Sequence, residues 1–362
     1  MNRYVLYDYL QVSGGAERLS LDLTSGMPGS QLVVSRIFPD AKPLMPERVL
    51  DVGALRCLGT PLTRPLGRIA EAAFVFTNRT RFLEEAQSVL YSGFYAPFAV
   101  HNQKRGRRVY YCHTPPRHAY DMRQYYLNKV PAALRPVANG VLDVLKKRYE
   151  RSLSRMDCIV ANSENVRGRL QRDLGMDAKV IHPPIDTDRF VWTGQQDYFI
   201  SLARLEPKKR IDRVIEAFRA MPDQRLVVAS GGRDEARLRE LAADAPNVTF
   251  TSWLSEARLR ELVGAARAAI YIPQDEDFGM SPVEAMSAGK PVIGVREGGL
   301  TETVVDGETG VLVPPEATVE SLVEAICSMT AKRALSMREA CEARSVLFSK
   351  KVFLERMADI LE

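Results

Sequence analysis

Cysteine is scarce in this chain of 362 residues, and its distribution excludes two kinds of stabilised domain. The five cysteines lie far apart and form no Cys-x-x-Cys pair: Cys57, Cys112, Cys158, Cys327 and Cys341. An odd and scattered set provides neither a disulfide framework nor a four-ligand zinc site. The sequence therefore predicts a protein of a reducing compartment, which we expect to be the cytoplasm.

Long hydrophobic runs are also missing. The best uninterrupted run, residues 72–76, is far shorter than the roughly 20 apolar residues that cross a bilayer. The amino terminus passes from Asn2 and Arg3 into the short apolar segment 4–7 without the apolar core of a signal peptide. We therefore expect any membrane contact to be peripheral, on the cytoplasmic face of the inner membrane.

An excess of positive charge is confined to the first half of the chain. Residues 1–190 carry 28 lysines and arginines against 18 acidic residues, whereas the remainder carries 22 against 27. Two basic clusters stand out: Lys104, Arg105, Arg107 and Arg108, and then Lys146, Lys147, Arg148, Arg151 and Arg155. Such clusters indicate either a solvated charged face or a contact for anionic lipid or a phosphorylated acceptor.

Short apolar runs alternate with amphipathic stretches, which predicts an α/β protein of parallel sheets wrapped by helices. The predicted strands are 4–7, 32–37, 88–91, 109–112, 158–161, 198–203, 225–229, 248–250, 268–272, 291–295 and 311–313. Predicted helices begin at residues 16, 136, 164, 211, 234, 255, 282 and 301. The proline-rich, polar segment 182–196 predicts a linker between two domains, whose strands would direct their carboxyl ends at a ligand cleft.

Two neighbouring glycines, Gly14 and Gly15, follow the first predicted strand. Glycines at a helix start let backbone N–H groups approach a ligand, although a tight turn also explains such a pair. The third glycine of the dinucleotide fingerprint and the lysine of the Walker motif do not follow. The sequence therefore disfavours a nicotinamide cofactor.

Two carboxylates eight positions apart, Glu276 and Glu284, lie on either side of a predicted helix start. Ser281 is expected to cap that helix and Pro282 to take its first position, which places Glu284 in the first turn. A capping role is enough to explain Glu284, but not Glu276 in the loop before Gly279. A helix start beside a loop carboxylate predicts an anion site that also holds the hydroxyl groups of a sugar and a ribose.

Arg204 and Lys209 follow the first strand of the second half. At the carboxyl end of a strand these cations would face a ligand, where a planar guanidinium and a mobile ammonium suit a diphosphate leaving group. The alternative is an exposed basic loop. The predicted position opposite the Glu276 loop favours the diphosphate site.

Together these motifs resemble the retaining glycosyltransferases of the GT-B fold, and among them the bacterial mannosyltransferases of O-antigen and exopolysaccharide assembly. The resemblance covers almost the whole chain and includes the Glu276-to-Glu284 spacing, Arg204 with Lys209, the Gly14-Gly15 loop, and segments 298–302 and 305–310. Segment 111–117, Tyr-Cys-His-Thr-Pro-Pro-Arg, is similar to the subgroup that often uses GDP-mannose.

The resemblance implies two Rossmann-like, doubly wound domains that face each other across a cleft. Residues 1–190 would form the acceptor-side domain and 191–347 the nucleotide-sugar domain. The helical pattern of 348–362 would return to complete the first domain, although a simple C-terminal cap is an alternative.

The resemblance also implies the roles of individual residues. Glu276 would contact the donor sugar, Glu284 the ribose, and His113 would lie beside the transferred sugar. The diphosphate would be bound by Arg204, Lys209, Gly14, Gly15, Gly279, Met280 and Ser281. We expect no cofactor and no metal, because the two cations neutralise the diphosphate without help from the acidic triplets 186–188 and 275–277.

The function implied is the transfer of mannose from GDP-mannose to a lipid-linked oligosaccharide in bacterial surface polysaccharide synthesis, with possible peripheral contact with an anionic membrane and no nucleic acid partner. One alternative is the same fold with a UDP-sugar donor. Another is a non-catalytic subunit that binds nucleotide sugars.

Overall fold

A computed structural model of the chain describes residues 2–11, 14–38, 49–53 and 64–361, with the backbone alone for 64–70. Two compact units are present. The first comprises Met1–His182 and Phe353–Glu362, and the second comprises Pro183–Val352. Each contains one parallel sheet flanked by helices, as the alternation of apolar runs and amphipathic stretches predicts.

The first unit contains a seven-stranded sheet in the order β3-β2-β1-β4-β5-β6-β7, with all neighbours parallel. Its strands are β1 Arg3–Tyr7, β2 Ser30–Val34, β3 Val49–Asp51, β4 Ser88–Ser92, β5 Arg107–Cys112, β6 Cys158–Ala161 and β7 Lys179–Val180. Successive strands run outward from β1 in one direction and from β4 in the other. The order therefore reverses between β1 and β4, which makes the sheet doubly wound.

Alternation along strand β5 shows how this sheet is buried on both faces. Val109 and Tyr111 enter one apolar cluster, whereas Tyr110 and Cys112 enter the other. The flanking helices are α1 Gly15–Gly26, α2 Arg64–Asn78, α3 Arg123–Leu127, α4 Arg135–Leu153 and α5 Glu164–Leu174. The apolar run 72–76 lies in α2, a helix that the sequence did not predict.

The second unit contains a six-stranded parallel sheet in the order β10-β9-β8-β11-β12-β13. Its strands are β8 Phe199–Ser201, β9 Leu226–Val228, β10 Val248–Phe250, β11 Ala268–Tyr271, β12 Val292–Val295 and β13 Gly310–Val313. Here the order reverses between β8 and β11. Ligands of open α/β sheets bind at such a reversal, beyond the carboxyl ends of the strands.

The helices around the second sheet alternate with its strands as far as β13, and four helices then follow in succession, the last of which leaves the unit. They are α6 Ile211–Arg219, α7 Glu235–Leu241, α8 Glu256–Ala265, α9 Met280–Ser287, α10 Leu300–Thr303, α11 Val319–Ser328, α12 Ala331–Ser336, α13 Arg338–Val346 and α14 Lys350–Leu361. From Phe353 onward, α14 packs with the first unit, where Phe353 and Met357 lie in the same apolar cluster as Tyr111.

Both boundaries of the second unit differ from the predicted ones by several residues. Residues 183–190, assigned from the sequence to the first domain, belong to the second unit, because Ile185 and Phe190 are buried in its core. Phe348, assigned to the returning helix, also stays in that core, where its ring lies 5.5 Å from the ring of Phe278. The return to the first unit therefore begins at Phe353. The acceptor-side and donor-side roles of the two units stay predictions.

Among the described helices, none combines the length and the apolar character needed to span a bilayer.

Candidate functional site

Residues of the second unit that the sequence predicts to bind the nucleotide sugar meet at the point where the strand order of the second sheet reverses. Strand β8 leads into the loop that carries Lys209, and its neighbour β11 leads into the loop that carries Glu276. Since the two strands are parallel and adjacent, both loops emerge at the same edge of the sheet. Residues separated by more than sixty positions in the chain thereby come into contact.

The ammonium group of Lys209 is held between two oxygens. Its Nζ donates to Oε2 of Glu276 over 2.6 Å and to the hydroxyl of Tyr271 over 2.9 Å. The side chains of Lys209 and Glu276 are only 14% and 22% exposed, and Tyr271 is buried. The structure thus brings Lys209 into direct contact with the Glu276 loop, and the binding roles of both stay predictions.

The electrostatics of this contact keep Lys209 charged. Burial alone would lower the pKa of Lys209, but the interactions with Tyr271 and Glu276 outweigh it and raise that pKa. Burial also raises the pKa of Tyr271, so its hydroxyl stays protonated at neutral pH. The carboxylate of Glu276 is therefore the anion that stabilises the buried ammonium.

The Glu276 loop rests against a second loop that carries two glycines. The amide of Gly299 donates to the carbonyl of Glu276 over 2.9 Å. A Cβ at Gly298 would lie 2.5 Å from that carbonyl oxygen, and a Cβ at Gly299 would lie 2.3 Å from Cα of Phe278. Close approach of backbone to backbone thus requires glycine at both positions. This contact explains why segment 298–302 accompanies the Glu276 motif.

Helix α9 begins earlier than the sequence predicts. It starts at Met280 behind Gly279, whose φ of 91° is left-handed, and no side chain caps it. The prediction of Ser281 as the N-cap is therefore wrong, because the glycine makes the turn into the helix before Ser281 is reached. Pro282 lies in the first turn, where its missing N–H has no helical partner to lose. The N–H groups of the first turn remain suited to an anion.

Glu284 is held by an arginine that the sequence analysis did not identify. Nη1 of Arg189 donates to Oε1 of Glu284 over 2.8 Å, and its Nε donates to Oε1 of Glu256 over 2.6 Å. The hydrogen bond from Arg189 lowers the pKa of Glu256 to about 2, and the two acids together raise the pKa of Arg189. Glu284 is thus a fixed carboxylate rather than the acid of a capping box.

Arg204 lies in the same loop as Lys209 but in a different environment. Its side chain is 62% exposed, and Nη1 lies 3.6 Å from Oε1 of Glu206. An exposed ion pair of this kind contributes little to stability. The side chain can therefore reorient toward an anion at low cost, whereas Lys209 is already fixed.

The predicted site residue His113 of the first unit follows strand β5 and is partly buried. Its Nε2 lies 2.8 Å from Oγ of Ser92, at the end of the neighbouring strand β4. The rings of Tyr111 and Tyr7 pack around it at 5.3 and 6.2 Å. Burial lowers the pKa of His113 to about 4, so the imidazole is neutral at physiological pH. A neutral imidazole can both donate and accept a hydrogen bond.

A buried aspartate, Asp8, organises the loop that follows Ser92, and the sequence analysis missed it. Its carboxylate accepts hydrogen bonds from the amides of Phe94, Tyr95 and Ala96 at 2.6 to 2.8 Å. A Cβ at Gly93, whose φ is 96°, would lie within 2.7 Å of that carboxylate. Burial nevertheless raises the pKa of Asp8 to about 6, against the effect of the three amides.

Gly14 and Gly15 lie at the start of α1, as predicted. Gly14 is the N-cap residue in an extended conformation, and no side chain caps the helix. Residue 13 of this motif lies outside the described residues. The amides of the first turn of α1 are oriented as an anion site requires, and binding of a phosphate there stays a prediction.

Within the described part of the chain, no group of three or more histidine, cysteine or acidic side chains is arranged to hold a metal ion. The second-unit site instead presents a buried ammonium, two fixed carboxylates and a helix start. This set suits a ligand that carries both negative charge and hydroxyl groups.

Two protein-family models match adjoining parts of the chain. Residues 13–189 match Glycosyltransferase Family 4, and residues 185–345 match Glycosyl transferases group 1. Their shared boundary falls near the boundary between the two units. Together the two models account for nearly all of the chain.

Curated relatives include the alpha-1,3/1,6-mannosyltransferase ALG2 of Rhizomucor pusillus, which is 25% identical over 58% of this chain and 56% of its own. Another is the GDP-mannose-dependent alpha-(1-6)-phosphatidylinositol monomannoside mannosyltransferase of Mycolicibacterium smegmatis, 29% identical over 55% of this chain and 60% of its own. The chain thus spans a little over half the length of these relatives.

Among solved structures, the sucrose-phosphate synthase of Thermosynechococcus elongatus superposes with a TM-score of 0.77. It covers 99% of this chain and 98% of its own at 18% identity, which is a likeness of fold. With both family models, this places the chain in the glycosyltransferases of the GT-B fold, group 1.

Proposed function

We propose that the chain is a retaining mannosyltransferase that moves mannose from GDP-mannose to a lipid-linked oligosaccharide in bacterial surface polysaccharide synthesis. The observation that carries the proposal is the Lys209–Glu276 contact at the reversal point of the second sheet. It joins a cation suited to a diphosphate with a carboxylate suited to sugar hydroxyls.

The family resemblance suggests the roles of the donor-site residues, and this geometry is compatible with them. Lys209 would contact the diphosphate from a fixed position, and Arg204 would move onto it from the exposed loop. The amides of Gly279, Met280 and Ser281 would add hydrogen bonds at the start of α9. Glu276 would accept hydrogen bonds from the hexose, and Glu284, held by Arg189, from the ribose.

In the reaction, the bond between the anomeric carbon and the diphosphate oxygen breaks and a bond to the acceptor oxygen forms. Negative charge develops on the departing diphosphate, so fixed cations and amides there lower the barrier most. The proton of the acceptor hydroxyl passes to a leaving phosphate oxygen on the same face, which keeps the anomeric configuration. Glu276 then acts as an electrostatic stabiliser, and a pair of opposed carboxylates is not required.

Mannose as the sugar and GDP as the nucleotide are supported by the names of the relatives. Both named relatives are mannosyltransferases, and one is GDP-mannose-dependent. That enzyme is also named for a glycolipid acceptor, phosphatidylinositol monomannoside, which favours a lipid-linked acceptor here. His113 would contact the transferred sugar as a neutral hydrogen-bonding group.

A donor panel tests the proposal. The purified chain is incubated with GDP-mannose, UDP-glucose or UDP-galactose and a set of polyprenyl-diphosphate-linked saccharides, and nucleotide release is measured. We expect release from GDP-mannose and an α-linked product by the anomeric proton signal. If nucleotide is released only from a UDP-sugar, that UDP-sugar and not GDP-mannose is the donor. Tight binding of a donor without turnover on any acceptor would favour a non-catalytic subunit.

Metal independence is tested in the same assay. Since Lys209 and Arg204 supply the positive charge, we expect full activity in excess EDTA. Loss of activity that Mg²⁺ or Mn²⁺ restores would show that the diphosphate is held by a metal ion.

A further inference from the structure

In the first unit, the chain continues past strands β1 and β2 as a narrow two-stranded extension. The amide of Leu10 donates to the carbonyl of Arg36 over 2.9 Å, and the amide of Phe38 donates to the carbonyl of Leu10 over 2.8 Å. Side chains of a strand pair alternate between its two faces. Leu10 and Ile37 therefore join an apolar cluster of the first unit. The opposite face carries Tyr9, Arg36 and Phe38.

That opposite face forms one wall of a shallow pocket. Tyr9, Gln11, Arg36 and Phe38 line the pocket from the extension, and Glu71 lines it from helix α2. The pocket thus combines two aromatic rings, an amide and two charged groups at the carboxyl edge of the first sheet. Ligands of open α/β sheets bind at this edge.

The two charged groups of the pocket form a fixed ion pair. Nη2 of Arg36 donates to both carboxylate oxygens of Glu71, at 2.9 and 3.0 Å. The side chain of Glu71 is only 5% exposed, whereas that of Arg36 is 31% exposed. The carboxylate is therefore held in place by the guanidinium, and a ligand in the pocket can reach the guanidinium itself.

The aromatic rings lie beside this ion pair. Tyr9 is 36% exposed, and its ring packs edge-to-face against that of Phe38 with 6.0 Å between the ring centres. The guanidinium carbon of Arg36 lies 5.7 Å from the centre of the Phe38 ring. Exposed aromatic rings bury the apolar face of a ligand, and a few fixed polar groups orient it. A sugar ring has both an apolar face and a rim of hydroxyl groups.

We propose that this pocket, defined by Tyr9, Arg36, Phe38 and Glu71, is a subsite for a neutral hexose ring of the acceptor saccharide. The C–H face of the ring packs on Tyr9. Its hydroxyl groups exchange hydrogen bonds with the guanidinium and the carboxylate, which are strong partners because they are charged.

Charge decides against a phosphate as the occupant. Among the described residues that line the pocket, Arg36 is the one cation and Glu71 the one acid. Their charges compensate each other across the ion pair, so a phosphate would meet no net positive charge. A neutral polyhydroxylated ring has no such requirement.

The pocket lies apart from the predicted position of transfer. It opens beyond β1 and β2, whereas His113 follows β5, which is two strands away from β1. Neighbouring strands are spaced so that two steps across the sheet amount to about 10 Å. A ring in this pocket is therefore a different one from the ring that receives the new sugar beside His113. Binding of such a remote ring can contribute to catalysis.

This inference rests on the proposed function, because it assigns part of a saccharide acceptor to the first unit. The two can nevertheless fail separately. Binding of a simple glycoside requires neither donor nor turnover, and transfer to an acceptor with a single sugar requires no ring in the pocket.

The first test is saturation-transfer NMR of the full chain with methyl α-D-mannoside, methyl α-D-glucoside and methyl β-D-galactoside. We expect at least one glycoside to bind, and Tyr9→Ala to weaken that binding about tenfold through loss of the aromatic surface. Phe82→Ala is the matched control, because that ring is 37% exposed and packs on Tyr4, near the other end of β1. It should bind the glycoside as wild type does.

Three results of this binding test overturn the inference. The first is that none of the glycosides binds wild type. The second is that Tyr9→Ala binds the glycoside as tightly as wild type. The third is that inorganic phosphate displaces the bound glycoside, which would make the pocket an anion site.

The second test compares polyprenyl-diphosphate-linked acceptors that carry one sugar or several. Tyr9→Ala should raise KM for the longer acceptor about tenfold and leave KM for GDP-mannose and for the one-sugar acceptor unchanged. Arg36→Gln/Glu71→Gln removes hydrogen bonds to charged groups without leaving one charge buried alone, and should raise the same KM about thirtyfold.

A defect of folding would affect both acceptors and the donor together, so equal effects of Tyr9→Ala on the two acceptors would overturn the inference. If wild type uses none of the acceptors, the proposed function fails, and glycoside binding still decides whether the pocket holds a sugar.

Discussion

At the scale of single residues, Lys209 combines burial with a fixed partner. Its ammonium is 2.6 Å from Glu276, so each group compensates the charge of the other in a poorly solvated position. A ligand that brings a diphosphate to this point meets a cation that is already oriented. Binding energy is then not spent on ordering a long flexible side chain.

We predict that Lys209→Met lowers kcat about 10²- to 10³-fold, the range seen when one group that stabilises developing negative charge is removed. Nucleotide release under donor saturation measures the effect. Lys332→Met, at an exposed position on α12, is the control and should keep full activity. If Lys209→Met turns over within twofold of wild type with its fold intact, the ammonium does not contact the leaving group.

The low pKa of His113 leads to a prediction about the pH dependence of kcat/KM. Because burial lowers its pKa to about 4, the imidazole stays neutral through the range in which an exposed histidine would be protonated. We therefore expect kcat/KM to show no acid limb near pH 6.5 that depends on this residue. His113→Gln should reduce kcat/KM and leave the shape of the profile from pH 5 to 8 unchanged. A wild-type limb in that range that disappears in the variant would contradict this account.

The sequence was sufficient to predict that Lys209 and Glu276 lie in loops that follow strands, because motifs at strand ends are local patterns. It was not sufficient to predict the residues that hold Glu284 or the loop after Ser92. Arg189 contacts Glu284 across 95 positions of the chain, and Asp8 reaches Tyr95 across 87. Such pairings depend on which strands lie side by side, and no periodicity in the sequence encodes that order.

At the scale of elements, the two loops of the donor site support each other through glycine. Gly298 and Gly299 bring the start of α10 against the Glu276 loop, and the hydrogen bond from Gly299 to Glu276 fixes the loop backbone. The orientation of the Glu276 carboxylate is thus set by a neighbouring element as well as by its own loop.

We predict that Gly299→Ala destabilises the protein by about 1–3 kcal/mol and lowers kcat/KM, because the new methyl group meets the backbone of Phe278 and Asp277 within 2.6 Å. Gly168→Ala is the control, since a Cβ there meets nothing within 4 Å. Urea unfolding of both variants measures the difference. Equal stabilities for the two variants would mean that the loop yields without cost.

Most strands match their predicted positions within one to three residues, because a strand buried on both faces appears as an apolar run. Strands β3 and β7 were missed for the opposite reason. Both lie at edges of the sheet, are only partly buried, and have two or three residues. The start of α9 was misplaced because the serine-proline pattern is a good capping signal, and the left-handed turn at Gly279 is visible only in the structure.

At the scale of the whole molecule, the chain returns to its first unit at the end. Helix α14 buries Phe353, Met357, Ile360 and Leu361 against the face of the first sheet that α1 also covers. The sequence predicts this helix from its spacing. The point of return is not predictable, because Phe348 and Phe353 are equally apolar and only packing decides which unit takes each.

The last prediction concerns this return. Phe353 packs its ring 5.8 Å from that of Tyr111, whose hydroxyl donates to the carbonyl of Ile181. We expect Phe353→Ala to destabilise the first unit by about 3–5 kcal/mol, through loss of buried area and the cavity left behind. Phe74→Ala, at a half-exposed phenylalanine of α2, is the matched control and should cost less than about 1 kcal/mol.

Hydrogen exchange resolves the effect of Phe353→Ala by region: amides of β1, β4 and β5 should lose protection in the Phe353 variant, whereas those of β8, β11 and β12 should keep it. Equal loss of protection in both sheets would show that the two units unfold as one cooperative structure, and no loss in either would show that α14 does not stabilise the first unit.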